Sequence, residues 1–425
     1  MWSTDELAAE LTGLREEHGR LLARGLSLDL TRGKPAPEQL DLASDMLALP
    51  GRGDHRSADG IDCRNYGGLQ GLPELRAVWG ELLGVPAAQL VAGGNSSLSL
   101  MHDCVVNALL RGTTEGPRWV DQPSVAFLCP VPGYDRHFAL CEQLGIDMIT
   151  VPMTESGPDL DLVRRLVAAD PRIKGMWCVP THSNPTGTTY SVDTVRALAT
   201  MPTAAPDFRL FWDNAYALHH LADDAAVAAD VLGPCAEAGH PNRPLVFAST
   251  SKITMAGSGV CFFGSSPPNV AWLLAYLGKR TIGPDKLNEL RHVRFLPDAQ
   301  SVRAHMRRHR DIVKPKFDLV LDILAETLGG TGIATWTEPV GGYFISLDVP
   351  DGCANRVVEL AKQAGIALTP AGATFPYGRD PRDRNIRIAP TFPSIDEVEA
   401  ATRGLALCVR LAAAEKAATA EPLAG

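Results

Sequence analysis

The sequence predicts an α/β protein built on a mostly parallel sheet, with a second, smaller α+β unit towards its C-terminus. Between about Val91 and Ser265, short apolar runs such as "VAFLCP", "GMWCVP" and "RLFWDN" are followed by turn residues and helical stretches. Strands buried on both faces have this composition, and their alternation with helices is typical of parallel sheets. Further along, the short strands "GGYFISLDV", "GIALTPAG" and "NIRIAPTF" are mixed with helices, which indicates the second unit.

The N-terminal segment is predicted to be an amphipathic helix and not a secretory signal. Its apolar stripe consists of Leu7, Leu11, Leu14, Leu21 and Leu22. The next stretch, "LDLTRGKPAPEQLDL", contains two prolines and a glycine, and we expect an extended arm there. If this arm packs with the C-terminal unit, the large domain spans residues 50–290 and a discontinuous small domain combines residues 1–49 and 291–425.

Further helices are expected along the chain. One begins near Pro73, and two others lie over residues 98–110 and 192–200. A long helical segment from about Asn288 to Leu328 ends in "LGGTG", which is a helix stop. The last helix starts at Ser394, and its alanine-rich tail after Leu411 could fray.

Composition limits the classes of function. The 425 residues carry a formal net charge of -9 and show no dense cluster of Lys and Arg, which argues against a nucleic-acid partner. No apolar stretch approaches the length of a membrane span. Nine cysteines are scattered singly, without a C-x-x-C pair, as expected for reduced thiols in the cytoplasm.

A single lysine stands in an otherwise uncharged part of the chain. From Pro244 to Gly278 there is no Asp, Glu or Arg, and Lys252 lies in "VFASTSKITMAGSGV". Taken alone, it could simply occupy a solvated loop. The alternative is an amine whose pKa is lowered so that it attacks a carbonyl and forms a Schiff base.

Polar residues at other strand ends are candidate partners, because ligands bind beyond the carboxyl ends of parallel strands. In "LVAGGNSSLSL", the glycines allow a tight turn, and a helix beginning with small polar residues can hold a phosphate. The residues of this turn are Gly94, Asn95, Ser96 and Ser97, which are also ordinary helix caps. Asn184 in "VPTHSNPTG" could donate to a ligand oxygen or merely form a turn.

The strand "RLFWDNAY" ends in Asp213, a poor place for a carboxylate unless it meets a cation or a donor. Capping the next helix is the alternative role. Tyr216 follows three residues later, and Ser249 and Ser251 flank the approach to Lys252. Pyridoxal phosphate would use every one of these groups: an amine, a carboxylate for its ring nitrogen, donors to its phenolic oxygen and an anchor for its phosphate.

The motifs "SNPTG", "WDNAY" and "STSK", in this order and at these intervals, resemble the class I aminotransferases of fold type I. The match is most similar to the subgroup Ic aspartate aminotransferases and extends from "TRGKP" to "NIRIAPTF". The resemblance implies a large three-layer α/β/α domain, a smaller α+β domain, pyridoxal phosphate as cofactor and a homodimer with shared active sites.

The same resemblance implies roles for four more residues. Tyr134 would stack on the cofactor ring, and Tyr66 would reach across the dimer to the partner's cofactor phosphate. Arg387 would grip the substrate α-carboxylate, and Gly33 would make a backbone contact near that carboxylate. Core packing is the alternative for Tyr134, a loop position for Tyr66 and an edge charge for Arg387.

One position departs from the family pattern. Most class I enzymes carry a phosphate-binding arginine eight residues after the lysine, where this chain has Val260. Additional hydroxyls such as Ser258, or a distant cation such as Arg280 or Lys286, could replace it. The segment with Arg280 could instead bind a distal substrate carboxylate, and sequence alone does not separate these uses.

The expected reaction is a ping-pong transamination between an L-amino acid, preferably L-aspartate, and 2-oxoglutarate, with Lys252, Asp213 and Tyr216 as catalytic residues. The alternatives are another donor specificity (aminoadipate, alanine or aromatic), a pyridoxal-phosphate-dependent lyase, or a non-catalytic protein that senses the cofactor. No metal site is expected, because His219 and His220 are adjacent and would point apart on a helix.

Overall fold

A computed structural model describes residues 4–31, 33–227 and 229–420 of the chain. The α-helices are α1 Thr4–Ala23, α2 Pro37–Asp41, α3 Pro73–Leu83, α4 Ser97–Arg111, α5 Asp135–Gln143, α6 Leu160–Ala169, α7 Val192–Thr200, α8 Leu232–Glu237, α9 Pro267–Arg280, α10 Lys286–Phe295, α11 Ala299–Leu328, α12 Ala354–Gln363 and α13 Ile395–Ala420. The strands are β1 Leu28–Asp29, β2 Leu90–Ala92, β3 Ala126–Val131, β4 Asp147–Thr154, β5 Gly157–Pro158, β6 Ile173–Cys178, β7 Arg209–Asp213, β8 Pro244–Ser249, β9 Cys261–Gly264, β10 Thr335–Trp336, β11 Ile345–Asp348, β12 Ile366–Ala367 and β13 Asn385–Ile388.

The large sheet has the strand order β2-β9-β8-β7-β6-β3-β4-β5. Its five central strands, from β8 to β4, run parallel, whereas β9, β2 and β5 pair antiparallel at the two edges. Strands β3, β6 and β7 are buried along their whole length, as their continuous apolar sequences require. The predicted mostly parallel α/β fold is therefore confirmed.

A second hydrophobic core lies away from this sheet. It contains Leu7, Leu11, Leu14 and Leu21 of α1 together with buried faces of α11, α12 and α13 and the antiparallel sheet β10-β11-β13. Leu22, the fifth predicted member of the stripe, is instead 41% exposed, because it faces away from this core. The parallel pair β1-β12 joins the N-terminal arm to the same unit. Residues Val293, Val302 and Met306 belong to the core of the large sheet, so α11 contributes to both cores. The domain boundaries stay a prediction.

The prediction of one continuous helical segment from Asn288 to Leu328 is wrong, because the structure has two helices there, α10 and α11. The segment is interrupted after α10, because Pro297 has no N–H for a continuing helix and Asp298 caps a new one. The Asp298 carboxylate accepts from the backbone N–H of Ser301 at 2.7 Å. The tail after Leu411 does not fray there: α13 continues to Ala420, and Ala412–Ala414 are buried. Among the described residues, no helix combines the length and apolarity that crossing a bilayer requires.

The sheet order brings the predicted site residues to one edge. Strands β6, β7 and β8 are parallel neighbours, so their carboxyl ends lie side by side. Asn184 follows β6, Asp213 ends β7, and Lys252 follows β8. The opposite ends of β6 and β7 are tied by a buried ion pair, in which Lys174 Nζ donates to Asp207 Oδ1 at 2.8 Å. Trp119 Nε1 donates to the other oxygen of Asp207, also at 2.8 Å.

We expect Lys174→Met to lower the free energy of unfolding by about 3–5 kcal/mol, because it leaves the buried Asp207 carboxylate without its cation. Denaturant unfolding followed by circular dichroism measures the loss. The control is Lys279→Met, since Lys279 is exposed on α9. Equal stabilities for the two variants would contradict the structural role of the pair.

Candidate active site

Lys252 lies in the crevice at the carboxyl ends of the parallel strands, flanked by two phenol rings. Its Nζ is 5.2 Å from the ring centroid of Tyr216 and 5.7 Å from that of Tyr343. A hydrogen bond also holds the loop that carries Lys252, because the Tyr343 hydroxyl donates to the Lys252 carbonyl oxygen at 3.5 Å. The lone lysine of the sequence therefore does not project from a surface loop: it is half-buried between aromatic rings.

Burial lowers the pKa of Lys252, and this effect exceeds the opposing one of Asp213, whose negative charge raises it. The positive charge of Arg387 lowers the pKa further. A lowered pKa means that the amine releases its proton at a lower pH than an exposed lysine does. A larger fraction is then neutral and nucleophilic near neutral pH.

Asp213 is buried at the end of β7, and only one of its oxygens is satisfied. His137 Nε2 donates to Oδ2 at 3.0 Å, and the His137 ring stacks on Trp177 with centroids 4.3 Å apart. Oδ1 has no hydrogen-bond partner within the described part of the chain. A buried carboxylate oxygen without a donor is costly, so it is suited to receive one from a ligand. Here the residues fit pyridoxal phosphate, whose protonated ring nitrogen is such a donor.

The two predicted phosphate-binding segments are in contact. Asn95 Nδ2 donates to the carbonyl of Gly257 at 3.2 Å, and Ser251 Oγ donates to the carbonyl of Asn95 at 3.3 Å. Gly94 has a φ of 70°, which favours glycine, and Ser96 caps α4. The half-buried Ser97 opens this helix, and the half-buried Ser249 ends β8. The turn that precedes α4 therefore lies against the loop of Lys252, and a helix start of this kind can bind a phosphate.

The position of the missing arginine is apolar, and the two proposed substitutes are engaged elsewhere in the chain. Val260 is buried, and its N–H donates to Thr250 Oγ1 at 2.9 Å. Arg280 Nη2 pairs with Asp103 Oδ2 on α4 at 2.8 Å. Lys286 Nζ donates to the carbonyls of Asn65 and Gly67, each at 2.7 Å. The use of Arg280 or Lys286 for a phosphate or a distal carboxylate stays a prediction, as does that of the half-buried Ser258.

Arg387 points from β13 towards the same crevice. Its Nη1 donates to Asp135 Oδ1 at 2.9 Å and to Asn184 Oδ1 at 3.3 Å. The guanidinium lies over the ring of Phe344, 4.9 Å from its centroid. The structure therefore brings Asn184 and Arg387 together, although they are 203 positions apart in the chain; their roles in substrate binding stay a prediction.

Gly33 is held against this group. A Cβ at Gly33 would lie 2.4 Å from Cζ of Phe344, the ring that covers Arg387. Phe344 also contacts Tyr216 edge to face, with centroids 6.3 Å apart. Burial raises the pKa of Tyr216 well above its ordinary value, so its phenol keeps its proton and can donate it in a hydrogen bond.

The two remaining predicted aromatic residues differ in their surroundings. Tyr134 directly precedes α5, and its ring meets His137 at a centroid distance of 4.9 Å. Burial raises the pKa of Tyr134 to about 12. Tyr66 is 80% exposed on a glycine-rich loop, so the described residues cover little of its ring. The contact of Tyr66 with the cofactor phosphate of a second subunit stays a prediction.

Sequence reasoning missed His137, Asp135 and Tyr343. The spacing of "GYDRH" is a usable indication for His137, because a residue three positions after Tyr134 lies one helical turn away. His219 places Nε2 3.4 Å from the Lys252 carbonyl oxygen, and burial keeps its pKa well below normal. Residues 4–31, 33–227 and 229–420 contain no group of three or more His, Cys, Asp or Glu that could hold a metal ion.

Comparison with known proteins relates the whole chain to one family. A family model described as "Aspartate amino-transferase" matches residues 2–421. A Mycolicibacterium smegmatis relative, described as an aminotransferase without a stated substrate, is 59% identical over 97% of each chain. An aspartate aminotransferase of Corynebacterium glutamicum is 51% identical over 97% of each chain. The crystal structure of an aspartate transaminase from Corynebacterium glutamicum, 50% identical, superposes with a TM-score of 0.96 and covers 98% of both chains.

We expect His137→Leu to weaken the binding of pyridoxal phosphate about tenfold to a hundredfold, because Asp213 loses the donor that orients its carboxylate. Absorbance titration of the apoprotein measures the affinity. His137→Gln is the matched variant, since its amide can place a donor near the same point, and it should retain most of the affinity. If both variants bind as the unaltered protein does, His137 does not position Asp213.

Proposed function

Because the chain belongs to the aspartate aminotransferase family of fold type I enzymes, which depend on pyridoxal phosphate, we propose that it transfers the amino group of L-aspartate to 2-oxoglutarate. Transamination itself follows from membership of the family. The choice of aspartate is supported by the 51% identity to the Corynebacterium glutamicum aspartate aminotransferase. The observation that carries the proposal is the convergence of Lys252, Asp213 and Arg387 on one crevice.

We assign the cofactor contacts as follows. Lys252 would bond to the cofactor's aldehyde carbon, Asp213 Oδ1 would accept a hydrogen bond from its ring nitrogen, and Tyr134 would pack against the ring face. Tyr216 and Asn184 face the phenolic oxygen. The phosphate would be bound by two segments: the turn and start of α4, with Gly94, Asn95, Ser96 and Ser97, and the end of β8 with the following loop, with Ser249 and Ser251. When bound, pyridoxal phosphate supplies an electron sink that stabilises negative charge at the substrate Cα.

Proton transfer falls to Lys252. The lowered pKa of Lys252 would let its Nζ take a proton from the substrate Cα near neutral pH. The resulting ammonium returns a proton in the next step. The rings of Tyr216 and Tyr343 and the carbonyl contacts below the loop keep Nζ within the crevice.

Arg387 binds the α-carboxylate, a task suited to its planar fork of donors. Because the amino acid and the oxo acid both carry this group, one arginine serves both half-reactions. This sharing allows both half-reactions of a ping-pong sequence to take place at a single site. Gly33 contributes by letting the ring of Phe344 lie close above the guanidinium.

We also propose a cytoplasmic homodimer. All nine cysteines are unpaired and buried, which is usual in a reducing compartment. The exposed Tyr66 has the position expected of a residue that is covered only in a symmetric pair, in which Tyr66 of the partner subunit would reach the phosphate.

The donor preference is tested by assaying the purified enzyme, loaded with pyridoxal phosphate, against a panel of amino acids with 2-oxoglutarate. We expect aspartate to give the highest kcat/KM, with parallel double-reciprocal lines as in a ping-pong sequence. Activity on aromatic, branched or aminoadipate donors with aspartate inert would contradict the proposed specificity, and ammonia release without an acceptor would indicate lyase chemistry.

We expect Gly33→Ala to raise KM for both aspartate and 2-oxoglutarate by about tenfold, because the added methyl group pushes Phe344 onto the position of Arg387. Initial-rate kinetics separate KM from kcat, which should change less. Gly51→Ala is the matched control, since a Cβ at Gly51 meets nothing within 4 Å and Gly51 lies outside the site. An unchanged KM in Gly33→Ala would show that the close approach of Phe344 does not matter for substrate binding.

A further inference from the structure

The guanidinium of Arg387 is buried but incompletely satisfied. Its side chain is only 6% exposed, and its Nε has no hydrogen-bond partner among the residues the structure describes. Nη2 makes one long bond, to Thr369 Oγ1 at 3.4 Å, and the bond from Nη1 to Asn184 is also long, at 3.3 Å. The one short, charged contact is that from Nη1 to Asp135 Oδ1, at 2.9 Å.

The Asp135 carboxylate binds the same guanidinium that is proposed to bind the substrate's α-carboxylate. Asp135 is the first residue of α5, next to Tyr134, and it approaches Arg387 from the large domain's side of the crevice. Its side chain is 32% exposed, and no second cation within 4.0 Å pairs with it in the described ranges. A carboxylate in the first turn of a helix is stabilised by the helix dipole whether or not it touches Arg387. Its release into water is therefore inexpensive.

We propose that Asp135 is a positioning residue that holds Arg387 through a single hydrogen bond in the substrate-free enzyme and is displaced by the substrate's α-carboxylate. This inference rests on the proposed role of Arg387. The pairing compensates the buried positive charge while the crevice is empty, which an unpaired guanidinium would not achieve. Asp135 thereby lowers the apparent affinity for every substrate that carries an α-carboxylate.

The substrate prevails because its contact is better than the internal one. Asp135 accepts one hydrogen bond, through Oδ1, from one nitrogen of the Arg387 guanidinium. A substrate carboxylate that enters the crevice can accept from two guanidinium nitrogens at once. The net gain is the difference between the bidentate bond to the substrate and the single charge-assisted bond to Asp135 that it replaces. Removing the negative charge of Asp135 removes this competition and leaves Arg387 and Asn184 in place.

The test is Asp135→Asn, made in the enzyme loaded with pyridoxal phosphate. We expect KM for aspartate and for 2-oxoglutarate to fall by about threefold to tenfold, with kcat within about twofold of the unaltered enzyme. The dissociation constant of maleate, a dicarboxylate that cannot react, should fall by the same factor in calorimetry. Asp161→Asn is the matched control: Asp161 is likewise in the first turn of a helix, α6, but its side chain is 95% exposed, and its KM values should not change.

A rise or no change in KM and in maleate affinity for Asp135→Asn would overturn the proposal. Asp135→Ser, which also removes the charge and suits a helix start, must give the same direction, so a folding defect of one variant does not decide the outcome. Arg387→Lys distinguishes the proposed binding of the α-carboxylate by Arg387 from the proposed competition by Asp135. If it raises KM strongly while Asp135→Asn has no effect, Arg387 binds the α-carboxylate but Asp135 does not compete. If it leaves KM unchanged, both proposals fail.

Discussion

The electrostatic coupling of Lys252 with Asp213 is the constraint on which the site depends. Both groups lie where parallel strands end, out of bulk water, so each charge is felt by the other more strongly than it would be at the surface. Burial favours the neutral amine of Lys252, and the Asp213 carboxylate opposes this without cancelling it. The order of the sheet produces the arrangement, because β7 and β8 are parallel neighbours whose carboxyl ends carry the two residues.

The crevice is also distinguished by polar atoms that the protein leaves without partners. Asp213 Oδ1 and Arg387 Nε are buried and have no hydrogen-bond partner in the part of the chain that the structure describes. Such atoms oppose folding unless a ligand completes them. One faces the expected ring nitrogen and the other the expected substrate carboxylate. In the proposed assignment, binding would supply each of these two atoms with the hydrogen-bond partner that it lacks.

Much of this could be predicted from the sequence. Continuous apolar runs placed the central strands, and the polar residues that interrupt their ends placed Lys252, Asp213 and Asn184 at one edge. Whether a residue lies at the end of a strand can be inferred from the few residues around it in the sequence. The contacts of His137 and Asp135 depend instead on the rotational phase of α5 against the sheet and against β13, which a strand-end argument does not contain. The pairing of Arg280 with Asp103 likewise depends on how α9 packs beside α4, and the helix break at Pro297 was overlooked although the proline is visible.

The coupling of Lys252 with Asp213 is tested most directly by measuring the pKa of Lys252 in the cofactor-free protein. Reductive methylation with 13C-formaldehyde labels lysine amines, and the resonance missing from Lys252→Arg identifies this one, whose chemical shift is followed against pH. We predict a pKa clearly below the ordinary lysine value of about 10.4, and a further decrease in Asp213→Asn, where the stabilising negative charge is lost. An amine that titrates like the exposed lysines, or one whose pKa does not fall in Asp213→Asn, would contradict it.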